Sequence, residues 1–192
     1  RRVGLLGGTF DPVHHGHLML AEEARHTLAL DSVLFVPAGQ PPHKLNEAHT
    51  ASRHRLRMLE LAIAGNVAFG ISRVDIDRPG PHYSVDMVRR KRAELGEEAE
   101  LFFLMGLDSL AHILTWHKPA ELLTLCRLAV ACRPGYTLDL AALRENLPLL
   151  EERLHFIDMP LIEIAGATLR RRVQRGQSIR YQVPEAVFEY II

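Results

Sequence analysis

Apolar positions fall into two patterns that alternate along the chain. Continuous apolar runs occupy residues 3–6, 32–36, 101–105 and 128–131. They give way to Gly7-Gly8, Pro37, Gly106 and Arg133-Pro134-Gly135. Short unbroken runs of this kind suit parallel strands buried on both faces. Residues 67–76 and 154–157 carry weaker strand patterns. Between the runs the period becomes helical. Leu18, Ala21, Ala24 and Leu28 share a face, with Glu22, Glu23 and Arg25 opposite. Leu56, Leu59 and Ile63 do the same, with Arg53, Arg57 and Glu60 outside. Residues 84–95 predict a third helix, less cleanly because Arg92 interrupts the stripe. Pro184 at a first helical position, followed by Ala186, Val187 and Tyr190, predicts a short terminal helix. There is no internal repeat, low-complexity segment or linker. The expectation is therefore one α/β domain over residues 1–192, built on a doubly wound parallel sheet. Ligands bind at the carboxyl ends of such strands, so the loops after the apolar runs are the place to look.

Composition narrows the chemistry. The 23 Lys and Arg balance the 23 Asp and Glu, so no global field points to nucleic acid or an anionic membrane. Any phosphate chemistry must come from local placement. Cys126 and Cys132 cannot form a disulfide scaffold and lack zinc or redox spacing. With no signal-peptide pattern and no run of about 18 apolar residues, a cytoplasmic protein is expected. The missing initial Met fits trimming.

The most informative stretch runs Gly7-Gly8-Thr9-Phe10-Asp11-Pro12-Val13-His14-His15-Gly16-His17-Leu18. It sits where a strand hands over to a helix, a place where unpaired N–H groups can hold an anion. Gly7 and Gly8 permit close backbone approach to a phosphate, and Thr9 adds a hydroxyl. His14, His15 and His17 can donate to phosphoryl oxygens. Nothing nearby completes a zinc site. The stretch also matches neither a Walker loop nor the Gly-x-Gly-x-x-Gly dinucleotide fingerprint.

Gly8-Thr9-Phe10-Asp11-Pro12 with His14-His15-Gly16-His17 resembles the T/HxGH signature of the nucleotidyltransferase superfamily. More narrowly, the chain is similar to the bacterial nicotinate-nucleotide adenylyltransferases from about residue 3 to 191. The resemblance implies catalytic roles for His14 and His17 on the ATP phosphates, with Gly8, Thr9 and Phe10 also at ATP and His15 a bystander. It implies a basic contact to the mononucleotide phosphate from Lys44, in the proline-fixed loop after the second run. His82-Tyr83-Ser84 stands where the family commonly has Ser-Tyr-Thr, so Tyr83 and Ser84 would lie near the pyridine nucleotide. Ser84 can equally be a helix N-cap. Asp108 can cap a helix or hold a ribose hydroxyl. Trp116 would stack on the nicotinate ring, with the backbone of His117 near its carboxylate. Arg133, before a Pro-Gly turn, is a second phosphate candidate.

Ile164-Ala165-Gly166-Ala167-Thr168-Leu169-Arg170 corresponds to the family's Ile-Ser-Ser/Ala-Thr/Ser-x-x-Arg. Ungapped, Ala165 and Ala167 replace both hydroxyl residues. A one-residue deletion would instead bring Thr168 into contact with ATP. The ungapped reading is preferred, because a one-residue shift turns the following helix by about 100° and misplaces Arg170. Arg170 holds ATP in either case.

The resemblance implies transfer of the adenylyl group of ATP to nicotinate mononucleotide, with Mg2+ on the phosphates. It leaves room for a homo-oligomer. Rival readings are another adenylyltransferase of the superfamily, such as that for phosphopantetheine, and a nucleotide-binding homologue whose catalysis is impaired.

Overall fold

The computed structural model describes residues 1–39, 49–132, 139–160 and 162–192. Six parallel strands form one sheet: β1 (Arg2–Gly8), β2 (Ser32–Pro37), β3 (Phe69–Ile71), β4 (Glu100–Gly106), β5 (Arg127–Cys132) and β6 (Leu154–Asp158). Their order is β3-β2-β1-β4-β5-β6. The chain reverses its direction of travel across the sheet between β1 and β4, which pair directly from Arg2↔Glu100 to Leu6↔Leu104. In doubly wound sheets, ligands bind in the crevice at this switch point.

Alternation within each strand divides the core between two faces. Leu5, Phe103 and Leu128 point to one face and pack on α3 (Ser84–Leu95), α4 (Leu107–Ala111) and α5 (Pro119–Leu125). Leu6, Phe35, Phe102 and Leu104 point to the other. There they meet α1 (His15–Thr27), α2 (Ser52–Ile63), α8 (Gly166–Gln174) and α9 (Glu185–Ile191). Two short helices, α6 (Leu140–Asn146) and α7 (Leu150–Arg153), close the first face beside β5 and β6. Each fully buried Leu or Phe contributes about 1.5–3 kcal/mol.

Four details differ from the sequence reading. The strand expected over 67–76 is only Phe69–Ile71. Beyond it, Arg73 pairs with Asp77 and Arg78 with Asp75, and these short-range pairs favour turns over extension. Helix α2 buries Arg55, Met58 and Leu59, a face rotated from the expected Leu56–Leu59–Ile63 stripe. Pro184 stands at the N-cap of α9, one position before the helix. Ser84 is the first residue of α3 and Tyr83 is its N-cap, so the Ser84 hydroxyl does not cap the helix.

Candidate active site

Two adjoining cavities open at the carboxyl ends of β1 and β4. The larger, about 700 Å³, is lined by Gly7, Gly8, Thr9 and Ala38, and across from them by Tyr83, Ser84, Trp116 and His117. The smaller, about 190 Å³, is bounded by His14, Gly16, Leu107, Cys132, Pro160 and Ile164. His17, Leu20, Gly106 and Asp108 line both, so these residues form the junction.

The first loop builds that junction from the backbone outwards. Gly8 has no side chain where a Cβ would press on the Phe10 ring at 3.0 Å, so the ring tucks under the strand end. Phe10 is 1% exposed and takes φ 50°, a left-handed conformation that costs a non-glycine residue about 1–3 kcal/mol. Its ring meets the edge of His17 at 4.9 Å. Thus Phe10 supports the histidine from below, and only its backbone is left to meet a ligand. Gly16 does for His14 what Gly8 does for Phe10: a Cβ there would lie 3.2 Å from His14 Nδ1. The His14 and His17 rings consequently stack at 3.7 Å.

The same geometry sets their protonation. The His14 N–H donates to His17 Nδ1 at 3.2 Å, so Nδ1 is an acceptor and the His17 proton resides on Nε2. Burial, and then the neighbouring His14, hold His17 well below the ordinary imidazole range. Burial, and then His15, push His14 down to about 4. Both rings are neutral at pH 7, and each offers one N–H donor. His14 Nδ1 is buried and meets no partner among the described residues. His15 borders neither cavity, and its N–H donates to the Gln182 carbonyl at 3.1 Å.

The pyridine-side candidates gather in the larger cavity. Tyr83 stacks on the His117 ring at 4.2 Å, and Trp116 stands edge-on to Phe103 at 5.7 Å. The Trp116 N–H is given to the Ile113 carbonyl at 3.0 Å. The His117 N–H donates to no group among the described residues. Asp108 lies in the first turn of α4, exposed at the junction. Lys44 and Arg133 lie outside the described residues.

The second phosphate motif is placed differently. Gly166 starts α8 against the Asp11 carbonyl, 3.0 Å from where its Cβ would be. Arg170 Nη1 donates to that same carbonyl at 2.7 Å. Thr168 borders neither cavity; its hydroxyl accepts from Arg171 at 3.1 Å on the exposed side of the helix. Ala165 is the N-cap and makes no side-chain cap, so the first-turn amides of α8 lack a side-chain acceptor.

Residues 5–172 match the cytidylyltransferase-like family. The chain belongs to that family. Among cytidylyltransferase-like proteins it is similar over nearly its whole length to nicotinate-nucleotide adenylyltransferases. It is 51% identical to the probable nicotinate-nucleotide adenylyltransferase of Thermomicrobium roseum, over 99% of this chain and 88% of that protein. The corresponding Roseiflexus protein is 46% identical over 98% of this chain and 94% of its own. The fold also matches the Plasmodium falciparum nicotinic acid mononucleotide adenylyltransferase complexed with NaAD. The TM-score is 0.79 at 17% identity, covering 100% of this chain and 94% of that one.

Two features escaped the sequence reading, one in the cavity wall and one behind it. Asp75 is buried at the wall of the larger cavity and paired with Arg78 at 2.7 Å; burial raises its carboxyl despite that arginine. Arg55 braces the loops from behind. Its signal was its place three and four residues before Met58 and Leu59, on the stripe those residues bury. No group of three or more His, Cys, Asp or Glu among the described residues could hold a metal. No helix among them is long and apolar enough to cross a membrane.

Proposed function

We propose that the protein transfers the adenylyl group of ATP to nicotinate mononucleotide, giving nicotinate adenine dinucleotide and pyrophosphate. The observation that carries this reading is the stacked, neutral His14–His17 pair at the junction of two cavities. A mononucleotide and ATP that meet at this junction would bring their phosphates together beside Nε2 of His17. An oxygen of the mononucleotide phosphate attacks the α-phosphorus as the bond to the pyrophosphate oxygen breaks. No protein nucleophile is required. The enzyme contributes placement and donors for the charge on the transferring group.

His17 Nε2–H would donate to the α-phosphoryl oxygen, and His14 to a neighbouring phosphate. Gly8, Thr9 and the Phe10 amide would follow the triphosphate, with the α8 amides and Arg170 beyond. Lys44 and Arg133 would hold the mononucleotide phosphate, while Tyr83, Ser84, Trp116 and His117 surround its ring. Thr168 has the weakest support, because its hydroxyl faces Arg171.

ATP chemistry of this class uses a divalent ion, and we assign Mg2+. The donor set fits an ion carried by the substrate, with Asp108 the one carboxylate among the described residues that lines both cavities. Bound there, it neutralises phosphate charge. We place the enzyme in the cytoplasm, in keeping with two unpaired thiols.

Pyrophosphate release from ATP with nicotinate mononucleotide, nicotinamide mononucleotide and phosphopantetheine as separate acceptors tests the reading. Turnover is expected to be fastest with the first. Preference for phosphopantetheine would reassign the substrate, and no release with any acceptor would reduce the protein to a nucleotide binder.

A further inference from the structure

Helix α2 turns a charge towards the core on its buried stripe. Arg55 is 2% exposed. Its Nη1 donates to the carbonyls of Thr9 and Ala38, both at 2.8 Å. Its Nε donates to the Thr50 carbonyl at 3.0 Å, and Nη2 to Ser52 Oγ at 3.1 Å. Asp11 supplies the opposing charge and accepts the Thr50 N–H at 3.0 Å. Burying a guanidinium is unfavourable unless its donors are used, and a Leu or Met would fill the same stripe without that cost. The charge therefore serves something other than packing.

What Arg55 joins indicates what that is. Thr9 follows β1 and Ala38 follows β2, and both line the larger cavity. A single nitrogen binds one carbonyl from each loop, a side-chain brace that adds to the backbone bond from the Ala38 N–H to the Gly8 carbonyl at 2.8 Å. Because the peptide unit is planar, holding the Thr9 carbonyl also aims the Phe10 N–H the opposite way. That N–H donates to no group among the described residues. Resting on the proposed adenylyl transfer, we infer that Arg55 is a positioning residue that sets the separation of the ATP-phosphate loop from the mononucleotide loop. It touches neither substrate. It acts through the Thr9 and Ala38 carbonyls, so its effect falls on the ternary complex, where two like-charged phosphates must be held together.

The test compares Arg55→Met, Arg55→Lys and Arg55→Ala with the wild type. Calorimetry measures binding of a non-hydrolysable ATP analogue and of the mononucleotide separately, and pyrophosphate release measures kcat. The expected result for Arg55→Met is a loss of about 10²-fold in kcat, the scale for a misplacement of about 1 Å. Each ligand alone should bind within about threefold of the wild type, since transition-state geometry and not uniform binding is lost. Arg55→Lys keeps the charge without the fork and should lose about tenfold. Guanidinium ion should restore turnover to Arg55→Ala, and urea should not. A folded Arg55→Met or Arg55→Lys enzyme with unchanged kcat overturns the inference. So does a kcat loss that merely follows the folded fraction or weakens both ligands equally. Failure of the substrate reading is seen in the wild type: activity on a different acceptor moves the same comparison to that acceptor, and inactivity with every acceptor overturns both.

Discussion

Two strand-to-helix loops, one at the junction and one reaching the smaller cavity through Ile164, are built on opposite principles. The loop from β1 to α1 is cross-braced: Phe10 lies under His17, His14 stacks over Gly16, and a backbone N–H fixes the His17 tautomer. The start of α8 has small residues, no side-chain cap and an exposed Thr168. Arg170 gives one N–H, from Nη1, to the Asp11 carbonyl. A directed donor must be held within a fraction of an ångström, and burial with packing achieves that in the first loop. The start of α8 instead presents first-turn amides without a side-chain acceptor, the kind of group that can meet an anion.

The widest separation between the two loops should appear on removing the directed donor. His17→Ala is expected to lower kcat by about 10²–10³, the scale for one lost preorganised donor, while His15→Ala stays near wild type. Pyrophosphate release, with circular dichroism to confirm folding, checks both. Equal losses in the two variants would erase the distinction.

Acceptor choice comes next. A carboxylate presents acceptors only, whereas an amide brings an NH₂ donor towards the His117 N–H. A mismatch of about 1–3 kcal/mol corresponds to roughly 5- to 150-fold in kcat/KM favouring nicotinate over nicotinamide mononucleotide. With the Trp116 amide committed to Ile113, the lower half of that range is expected. Equal kcat/KM values would mean that the His117 amide does not read the ring substituent.

The α8 loop should yield smaller effects, and in the gaining direction. Ala165→Ser with Ala167→Thr should raise kcat/KM for ATP by about tenfold, the value of one hydroxyl-to-phosphate bond. Ala165→Ser alone should raise the melting temperature, since a serine N-cap is worth about 0.5–2 kcal/mol over alanine. Thr168→Ala should change little, and a large loss there would show that its hydroxyl turns inward when ATP binds.

Much of this contrast was legible in the residues. The apolar runs ending at Gly7-Gly8 and Gly106 marked the strand ends that flank the junction, and His14-His15-Gly16-His17 marked the two rings that stack there. The helix over residues 84–95 is α3 with the same bounds. What could not be read depends on distant partners. Arg55 looks like a solvated arginine between Arg53 and Arg57 until the fold brings the Thr9 and Ala38 carbonyls to it. The short β3 was misjudged because Val33, Leu34 and Phe35 of β2 support only three of its residues, and ion pairs take over after Ile71.

A separate effect is expected on the pH dependence of stability. His14 and His17 are depressed in the folded state, so the unfolded chain binds more protons below its ordinary imidazole pKa of 6.5. Their contribution is complete above that pH and diminishes as the pH falls, that of His14 being lost towards about 4. His14→Gln should flatten the acid limb of a plot of melting temperature against pH, and an unchanged slope would show that His14 is not desolvated.

The central claim is direct adenylyl transfer between two bound nucleotides without a protein nucleophile. ATP radiolabelled at its α-phosphorus, mixed with excess enzyme and nicotinate mononucleotide and quenched during a single turnover, tests it most directly. The label is expected to pass from ATP to the dinucleotide in step with pyrophosphate release, with none on the protein and with the transfer about 10²–10³ slower in His17→Ala. Label retained on the protein after denaturation, or no labelled dinucleotide at any time, would contradict it.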